Sequence, residues 1–483
     1  MQKPILLILF ISLITFFSSC YGIRASKGGG QHIEQSLRVI DPNDIALPDN
    51  YKIDIVATGL TFPSGIAFDD KGAVYVIEAG YAYGEVWLAP RLLKIENGKT
   101  TEIAKGSNNG PWNGITFYEG NFYVAEGGTL EGGKILKISP EGKITPLVSG
   151  LPGIGDHHTN GPAIKNGFIY FSQGTATNSG VVGKDSYEFG WLSRNPAFHD
   201  IPCADITATG KNYETDNFLT EEENDKSITG PYSSFGTSVT SGQIMKGEIP
   251  CTGAILKMPV NGGNISVVAW GLRNPFGLAF DNNGNLFTTE NSYDDRGSRP
   301  VWGTGDVLWK IKDGSWYGWP EYSAGKSLTM DDEFSPPGDK RVVQIINNVS
   351  AIPDPVAILG VHSSSNGFDF SFDADFGHVD EAFIAQFGDM APGVGKVLNP
   401  VGFKVVMVNV NTGVINDFAV NKGKKNGPAT MLGSGGIERP VDVKFNNDGS
   451  ALYIADFGIV KTGDQGPQPM ENTGVVWKIS KIK

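Results

Sequence analysis

Six stretches of the chain repeat one alternation of apolar and polar positions. Each opens on a turn-forming residue, passes through a short strand pattern and a tight turn, and continues in a longer, aromatic-rich strand that ends on a polar residue. They are SGIAFDDKGAVYVIEAG from Ser64, NGITFYEGNFYVAEGG from Asn113, NGPAIKNGFIYFSQGT from Asn160, FGLAFDNNGNLFTTENS from Phe276, NGFDFSFDADFGHVDEAFIAQFGD from Asn366 and VDVKFNNDGSALYIADFG from Val441. Each is followed, sooner or later, by a further strand pattern, from RLLKIENGKTTEIA in the first to the terminal VVWKIS in the last. Alternation with a period of two belongs to a strand with one buried face, and Asn-Gly between such runs belongs to a hairpin. Four strands per repeat, six times over, predict an all-β fold, a six-bladed β-propeller with long inserted loops. The last repeat stops one strand short. YKIDIVATGL, from Tyr51, has the pattern to supply that strand, closing the ring and removing the edges a linear array exposes.

The spacing locates the insertions. Gly65, Gly114 and Gly161 are evenly stepped, whereas Gly161 to Gly277 is more than twice the step. The excess, about 178–250, is polar and rich in Ser, Thr and Gly. A second excursion, about 318–360, contains SPPGDK and IPDP. Long loops in a compact domain tend to be binding or lid elements.

Ahead of the propeller, Lys3 precedes an apolar run from Pro4 to Phe17 and then Ser18-Ser19-Cys20. The run is too short for an ordinary membrane span and suits a secretory signal. Small residues before a cysteine resemble a lipoprotein cleavage site. The expected organisation is a signal peptide over 1–20 with Cys20 lipidated, a flexible tether over 21–47, and the propeller over 48–483. The expected location is the bacterial cell envelope, periplasmic or surface-exposed, held to the membrane by the lipid alone. In that oxidising setting Cys203 and Cys251 are expected to pair. The formal charge is 39 − 52 = −13, which argues against nucleic acid as a partner. The 64 glycines suit many tight turns.

Candidate chemistry gathers where the repeats converge. Aligning them on the last apolar residue of the first strand puts Phe62, Pro111, His158, Asn274, Ser364 and Arg439 at one equivalent position near the axis. The second strands end in Glu78, Glu126, Gln173, Glu290, Gln386 and Asp456, predicting an acidic rim at the same face. His157 and His158 point opposite ways in extended chain, and the register picks His158 for the mouth. The tryptophans and tyrosines of SWYGWPEY, from Ser315, are placed as its wall. A P-loop, HExxH, GxSxG and a spaced Cys/His metal set are absent from the sequence.

GLRNPFGLAF, DHHTNGPAI and GGIERPVDVKF together resemble the glucose/sorbosone dehydrogenase family, six-bladed quinoproteins that use pyrroloquinoline quinone (PQQ); the resemblance covers about residues 50–480. It implies His158 as catalytic base, Arg273 and Asn274 as cofactor contacts, and Arg439 as one of two cofactor arginines. It also implies Ca2+ beside the quinone, a sugar substrate, and a quinone or cytochrome electron acceptor. The sequence departs from the family at several points. Val441 stands where the second arginine falls, Asp389 stands near the expected lysine, and Asn291-Ser292-Tyr293 replaces a Gly-Pro that offers carbonyls to the metal. Arg296 and Arg299 are candidates for the missing cations; Glu290, Asn291 and Asp295 are candidates for the metal. The expected reaction is oxidation of a hydroxyl or hydrated aldehyde of a sugar or sugar derivative by hydride transfer to the quinone. The rival readings are a Ca2+-dependent lactonase-type propeller, which would use the acidic rim, and a non-catalytic carbohydrate- or protein-binding propeller.

Overall fold

A computed structural model describes residues 38–80, 88–222, 224–330, 332–336, 338–339, 341–347, 350, 352–389, 397, 399–461 and 467–482. The expected signal peptide, Cys20 and the first part of the expected tether lie outside these residues.

Six antiparallel sheets of four strands form the blades, and their first strands lie side by side in a closed ring. These first strands are Pro63–Phe68, Trp112–Tyr118, Thr159–Lys165, Asn274–Phe280, Ser365–Phe370 and Pro440–Phe445, in blades 1 to 6. The sixth blade is completed as the pattern predicted. Tyr51–Leu60 pairs antiparallel with the terminal strand Gly474–Lys481, with Tyr51 opposite Lys481 and Leu60 opposite Gly474. Ile53, Ala57 and Leu60 turn inward from this strand, and Trp477 and Val476 are wholly buried against them.

Every first strand carries an irregularity in the same place, with one extra residue against the second strand. The Asn-Gly and Ser-Gly pairs read as turns therefore sit in β-bulges, which bend the strand where neighbouring blades touch. Gly114 shows why the residue must be small, because a Cβ there would collide with the carbonyl oxygen of Gly161. At Gly277 it would stand 2.5 Å from the carbonyl oxygen of Asn366. The closely approached first strands leave an axial cavity of about 240 Å³, into which Asp442, Lys444 and Asp369 project.

The expected tether is shorter than 21–47. Residues 38–47 pack on the propeller: Ile45–Ala46 adds a fifth strand to blade 5 beside Ile415–Asn421, and Arg38 reaches the buried carboxylates of Glu438 and Asp456 at 3.2 and 2.7 Å.

The first insertion leaves blade 3 between its second and third strands, Phe168–Gln173 and Ala254–Pro259. Where it rejoins blade 3 it is tied by the disulfide Cys203–Cys251, as expected, with Cα atoms 5.1 Å apart. It packs on the second insertion, which separates Val307–Lys310 from Ala357–Ile358 in blade 4. The two share an apolar core containing Ile206, Val239, Trp316, Trp319, Phe334 and Ile345. Trp316, Tyr317 and Trp319 are buried, so the aromatic run hinges the insertions together instead of walling a mouth.

Candidate active site

The expected acidic rim is not a rim. The carboxylates that end the second strands face into the sheets and bind the loop that enters the same blade. Glu78 accepts the backbone N–H of Thr61, Glu290 that of Arg273, and Asp456 those of Glu438 and Arg439. Three of them also accept a tryptophan indole N–H: Trp112 to Glu126, Trp309 to Glu290 and Trp477 to Asp456. Backbone donors with no strand partner would otherwise be stranded in the interior, so these acids are structural caps. Burial pushes the Glu290 carboxyl up to about 7, against the two donors that favour its charge.

The cap on Glu290 fixes the start of blade 4 and aims Arg273 into a buried polar cluster. Its guanidinium donates to Asn178 Oδ1 at 2.9 Å and to Asp294 Oδ2 at 2.9 Å. It also donates to the carbonyls of Asn178 and Ser292 and lies 3.5 Å from Asp156 Oδ2. Arg296 stands beside it. It bridges Asp156 at 2.5 Å, Asp185 at 2.8 Å and Asp294 at 3.0 Å, with its plane over the ring of Phe189. Burial would push the Asp156 and Asp294 carboxyls up, but the neighbouring guanidiniums outweigh it and hold both below the usual carboxylate range. Two guanidiniums against three carboxylates leave the cluster with one negative charge in excess.

His157, not His158, joins this cluster. Its backbone N–H donates to Thr175 O, and the next turn of that loop is bound in turn to blade 4 through Thr175 N–H to Arg273 O. His157 is thereby carried towards Arg273 and Asn274. Gly174 lies between them; a Cβ there would collide with His157 Cβ and stand 3.3 Å from Asn274 Oδ1. The tautomer follows from the hydrogen bonds. His157 Nδ1 is 3.2 Å from Thr175 O and 3.1 Å from Thr175 Oγ1. That hydroxyl already donates to Thr177 O, so Nδ1 must carry the proton. Nε2 is left with a lone pair, 3.7 Å from Asp156 Oδ2. Burial first, and then Arg273 and Arg296 against Asp156, lower its pKa to about 3. The ring is neutral. His158 turns the other way, with Nδ1 at 3.1 Å from Gly153 O and its Cβ against Gly127 of blade 2.

The remaining candidates separate. Asn274 is in the cluster's floor, donating to Asn291 Oδ1 at 2.8 Å, and Asn291 donates to the carbonyl of Ser365. Arg439 is buried between Phe387 and Phe403 and donates to the carbonyls of Phe387, Gly388 and Asp389. Arg299 is a clamp inside the insertions, on Glu321 at 3.1 Å and on Pro320 O. Val441 lies in the core. Of the metal candidates, Glu290 caps the blade and Asp295 takes the indole of Trp302; among the described residues no three His, Cys, Asp or Glu side chains form a metal-holding group. Asp156, Asp185, Asp294 and His362 belong to the cluster and were missed. Asp156 stands in the motif DHHTNGPAI itself, so its presence was legible. Asp185 arrives on the short helix Lys184–Glu188 of the insertion, which no local pattern connects to blade 4.

No protein-family model and no curated protein sequence matches the chain. Solved structures do. The fold is that of the PQQ domain of pyranose dehydrogenase from Coprinopsis cinerea, at TM-score 0.54 and 15% identity over 93% of this chain and 98% of that one. It is equally that of an AA12-family carbohydrate-active enzyme of Trichoderma reesei, at TM-score 0.53 and 16% identity over 93% and 100%. The soluble aldose sugar dehydrogenase of Escherichia coli matches at TM-score 0.51 and 13% identity over 89% and 100%. The chain is thus similar throughout its propeller to sugar dehydrogenase propellers, at identities that show the fold.

Proposed function

We propose that the chain is a PQQ-dependent oxidoreductase acting on a hydroxyl or hydrated aldehyde of a sugar or sugar derivative. The observation that carries this reading is His157, a buried neutral imidazole with its tautomer fixed and its Nε2 lone pair free to take a proton, set beside Arg273 and Asn274. A planar anion suits the surroundings. Arg273 and Arg296 bring two positive charges, held in place by Asp156, Asp185 and Asp294, Asn274 brings an amide, and Gly174 lets His157 approach Asn274 where a Cβ would collide with it. These three polar residues would hold the quinone. The excess negative charge means that a polycarboxylate is accommodated together with a divalent cation, which is why Ca2+ belongs to the proposal. Bound, the quinone supplies a two-electron hydride acceptor.

The chain's own residues handle the proton. His157 takes the substrate's hydroxyl proton at Nε2, acting as general base. The imidazolium that results keeps its Nδ1–H on Thr175 O, and the Asp156 carboxylate beside Nε2 stabilises the new charge. Arg273, held on five sides, is preorganised towards developing negative charge. The electrons leave to a quinone or cytochrome, and the protein is exported and anchored through Cys20. Titration of purified protein with PQQ, followed by absorbance, tests the reading. Binding is expected only when Ca2+ is present, with bleaching on addition of an aldose, and Arg273→Ala is expected to weaken binding. No quinone binding with Ca2+ present would defeat the proposal.

A further inference from the structure

Residues 38–47 change the side of the molecule from which the chain sets out. Strand pairing tells the two faces apart. At one face lie the loops that enter the first strands and leave the second, where Asn274 is opposite Asn291 in blade 4 and Pro440 is opposite Asp456 in blade 6. At the other lie the hairpins that join those strands. The candidate site occupies the first face. Its residues His157, Arg273, Asp294 and His362 stand on entering or leaving loops. Asp294 and His362, 3.6 Å apart, open it to solvent with side chains 28 and 14% exposed.

Tyr51, where the closing strand begins, is at the hairpin face. It lies opposite Lys481, next to the pair Ser480 and Ala451. Its hydroxyl donates to Phe376 O, in the hairpin of blade 5, at 2.5 Å. A chain that joined the propeller at Tyr51 would leave from the face opposite the site. The strap reverses this. Read backwards, it climbs the outer edge of blade 5, with Ala46 opposite Val420 and Ile45 opposite Asn421, the last residue of the fourth strand. Asp44 and Asp41 then fasten it to the loop that enters blade 6. Gly435 N–H donates to Asp44 Oδ2 at 2.6 Å, and Asp41 N–H donates to Gly435 O at 2.8 Å. Arg38 ends it at the site face, on the buried carboxylates of Glu438 and Asp456. Covering the edge of blade 5 needs only the paired Ile45–Ala46; residues 38–44 go further and cross onto the face.

The chain before Arg38 therefore starts from the face that bears the site. Residues 21–37 separate Arg38 from Cys20 and span at most about 60 Å. A domain of this length has a radius of gyration of about 22 Å. The hairpin face could meet a bilayer holding Cys20 only with that segment drawn out along the flank. The formal charge of −13 supplies no attraction to an anionic bilayer that would override this bias.

We propose that the strap orients the protein on the membrane: it brings the N-terminal segment out beside the candidate site, so that lipid on Cys20 holds the site face towards the bilayer. The partner of that face is a phospholipid surface, and whatever reaches the site passes through the gap between the two. The proposal rests on the anchoring through Cys20 given under Proposed function and is independent of the oxidation chemistry.

The test uses the full lipidated chain on vesicles of phosphatidylethanolamine and phosphatidylglycerol, with an energy acceptor on a fraction of the headgroups. A fluorophore is attached through Lys424→Cys, exposed on the loop after the fourth strand of blade 5, or through Asn283→Cys, exposed on the hairpin of blade 4. Energy transfer is expected to be several-fold stronger from position 424 than from position 283. Equal transfer, or stronger transfer from 283, overturns the proposal. Arg38→Ala combined with Asp44→Ala releases the strap and is expected to shrink the difference while the protein still floats with the vesicles. A difference that persists undiminished shows that the strap does not set the orientation and overturns the proposal as well. If the double variant does not fold, the comparison of the two labels decides alone. Flotation separates the two readings. A chain that stays off the vesicles lacks the anchor, and the orientation falls with it; a chain that floats with no preferred face keeps the anchor and refutes the orientation only. The measurement needs no quinone, so it is decided whether or not one binds.

Discussion

At the scale of single residues, the two adjacent histidines carry the sharpest expectation. His157→Ala should lower turnover about 10²–10⁴-fold, the span of a lost general base. His158→Ala should cost much less, since its ring faces Gly153 and blade 2. Steady-state kinetics at saturating quinone decide between them, and equal losses would contradict the assignment. The pH profile is a second check. A base with its pKa near 3 is already deprotonated at ordinary pH, so kcat/KM should not fall as pH drops through about 6.5, the unperturbed imidazole value. A loss centred there would mean that the working base is a different group. The sequence showed that only one of the pair could serve, because neighbours in extended chain point apart. It pointed to His158, whereas the structure turns His157 towards Arg273, because the loop before Thr159 is not strand. Its course is set by Thr175, itself held by Arg273 across the blade boundary, and that contact has no local trace.

At the scale of elements, the same contrast recurs. The first two strands of each blade and the closing strand were legible from alternation, and the disulfide from its pairing context. The acids that end the second strands were legible as acids, yet their partners are backbone N–H groups of entering loops, and alternation says nothing of those. The N-terminal strap was invisible for a related reason: 38–47 has too little periodicity to read as structure. It is held by Arg38, whose charge sits against two carboxylates with no exposed side-chain surface. Removing one partner of a buried ion pair costs about 3–5 kcal/mol. Arg38→Ala should therefore lower the melting temperature measurably, whereas Lys52→Ala, whose partner Asp54 is on the surface, should leave it nearly unchanged. Equal melting temperatures would show that the strap contributes nothing.

At the scale of the whole molecule, several buried carboxyls set how stability responds to pH. Burial raises Asp442 to about 7 against the pull of Lys444, Glu290 to about 7, and Asp200 to about 6. Carboxyls with raised pKa values bind protons in the folded state that the unfolded chain has already lost. Their contribution is full below about pH 4 and disappears as pH rises through the folded values. Asp156 and Asp294 act in the opposite sense, but their lowered values confine that effect to acid. His157, held neutral by burial, opposes this up to about pH 6.5, so the melting temperature should fall between about pH 6.5 and 8, and Asp442→Asn should flatten the slope. A melting temperature that rises over this interval would refute the assignment.

The strand that closes the ring has a consequence in time. Tyr51–Leu60 is among the first segments of the propeller to be synthesised, and its partner, Gly474–Lys481, is the last. Until Gly474–Lys481 has been synthesised, blade 6 cannot be completed, and the apolar faces of Ile53, Ala57 and Leu60 have nowhere to go. Non-local pairing of this kind makes the final step slow and leaves the nearly complete chain exposed to aggregation. The ring is therefore all or nothing at its seam: a chain stopped before Gly474 loses the pairing to Tyr51–Leu60 and to Ala451–Asp456 at once, and five finished blades stay open.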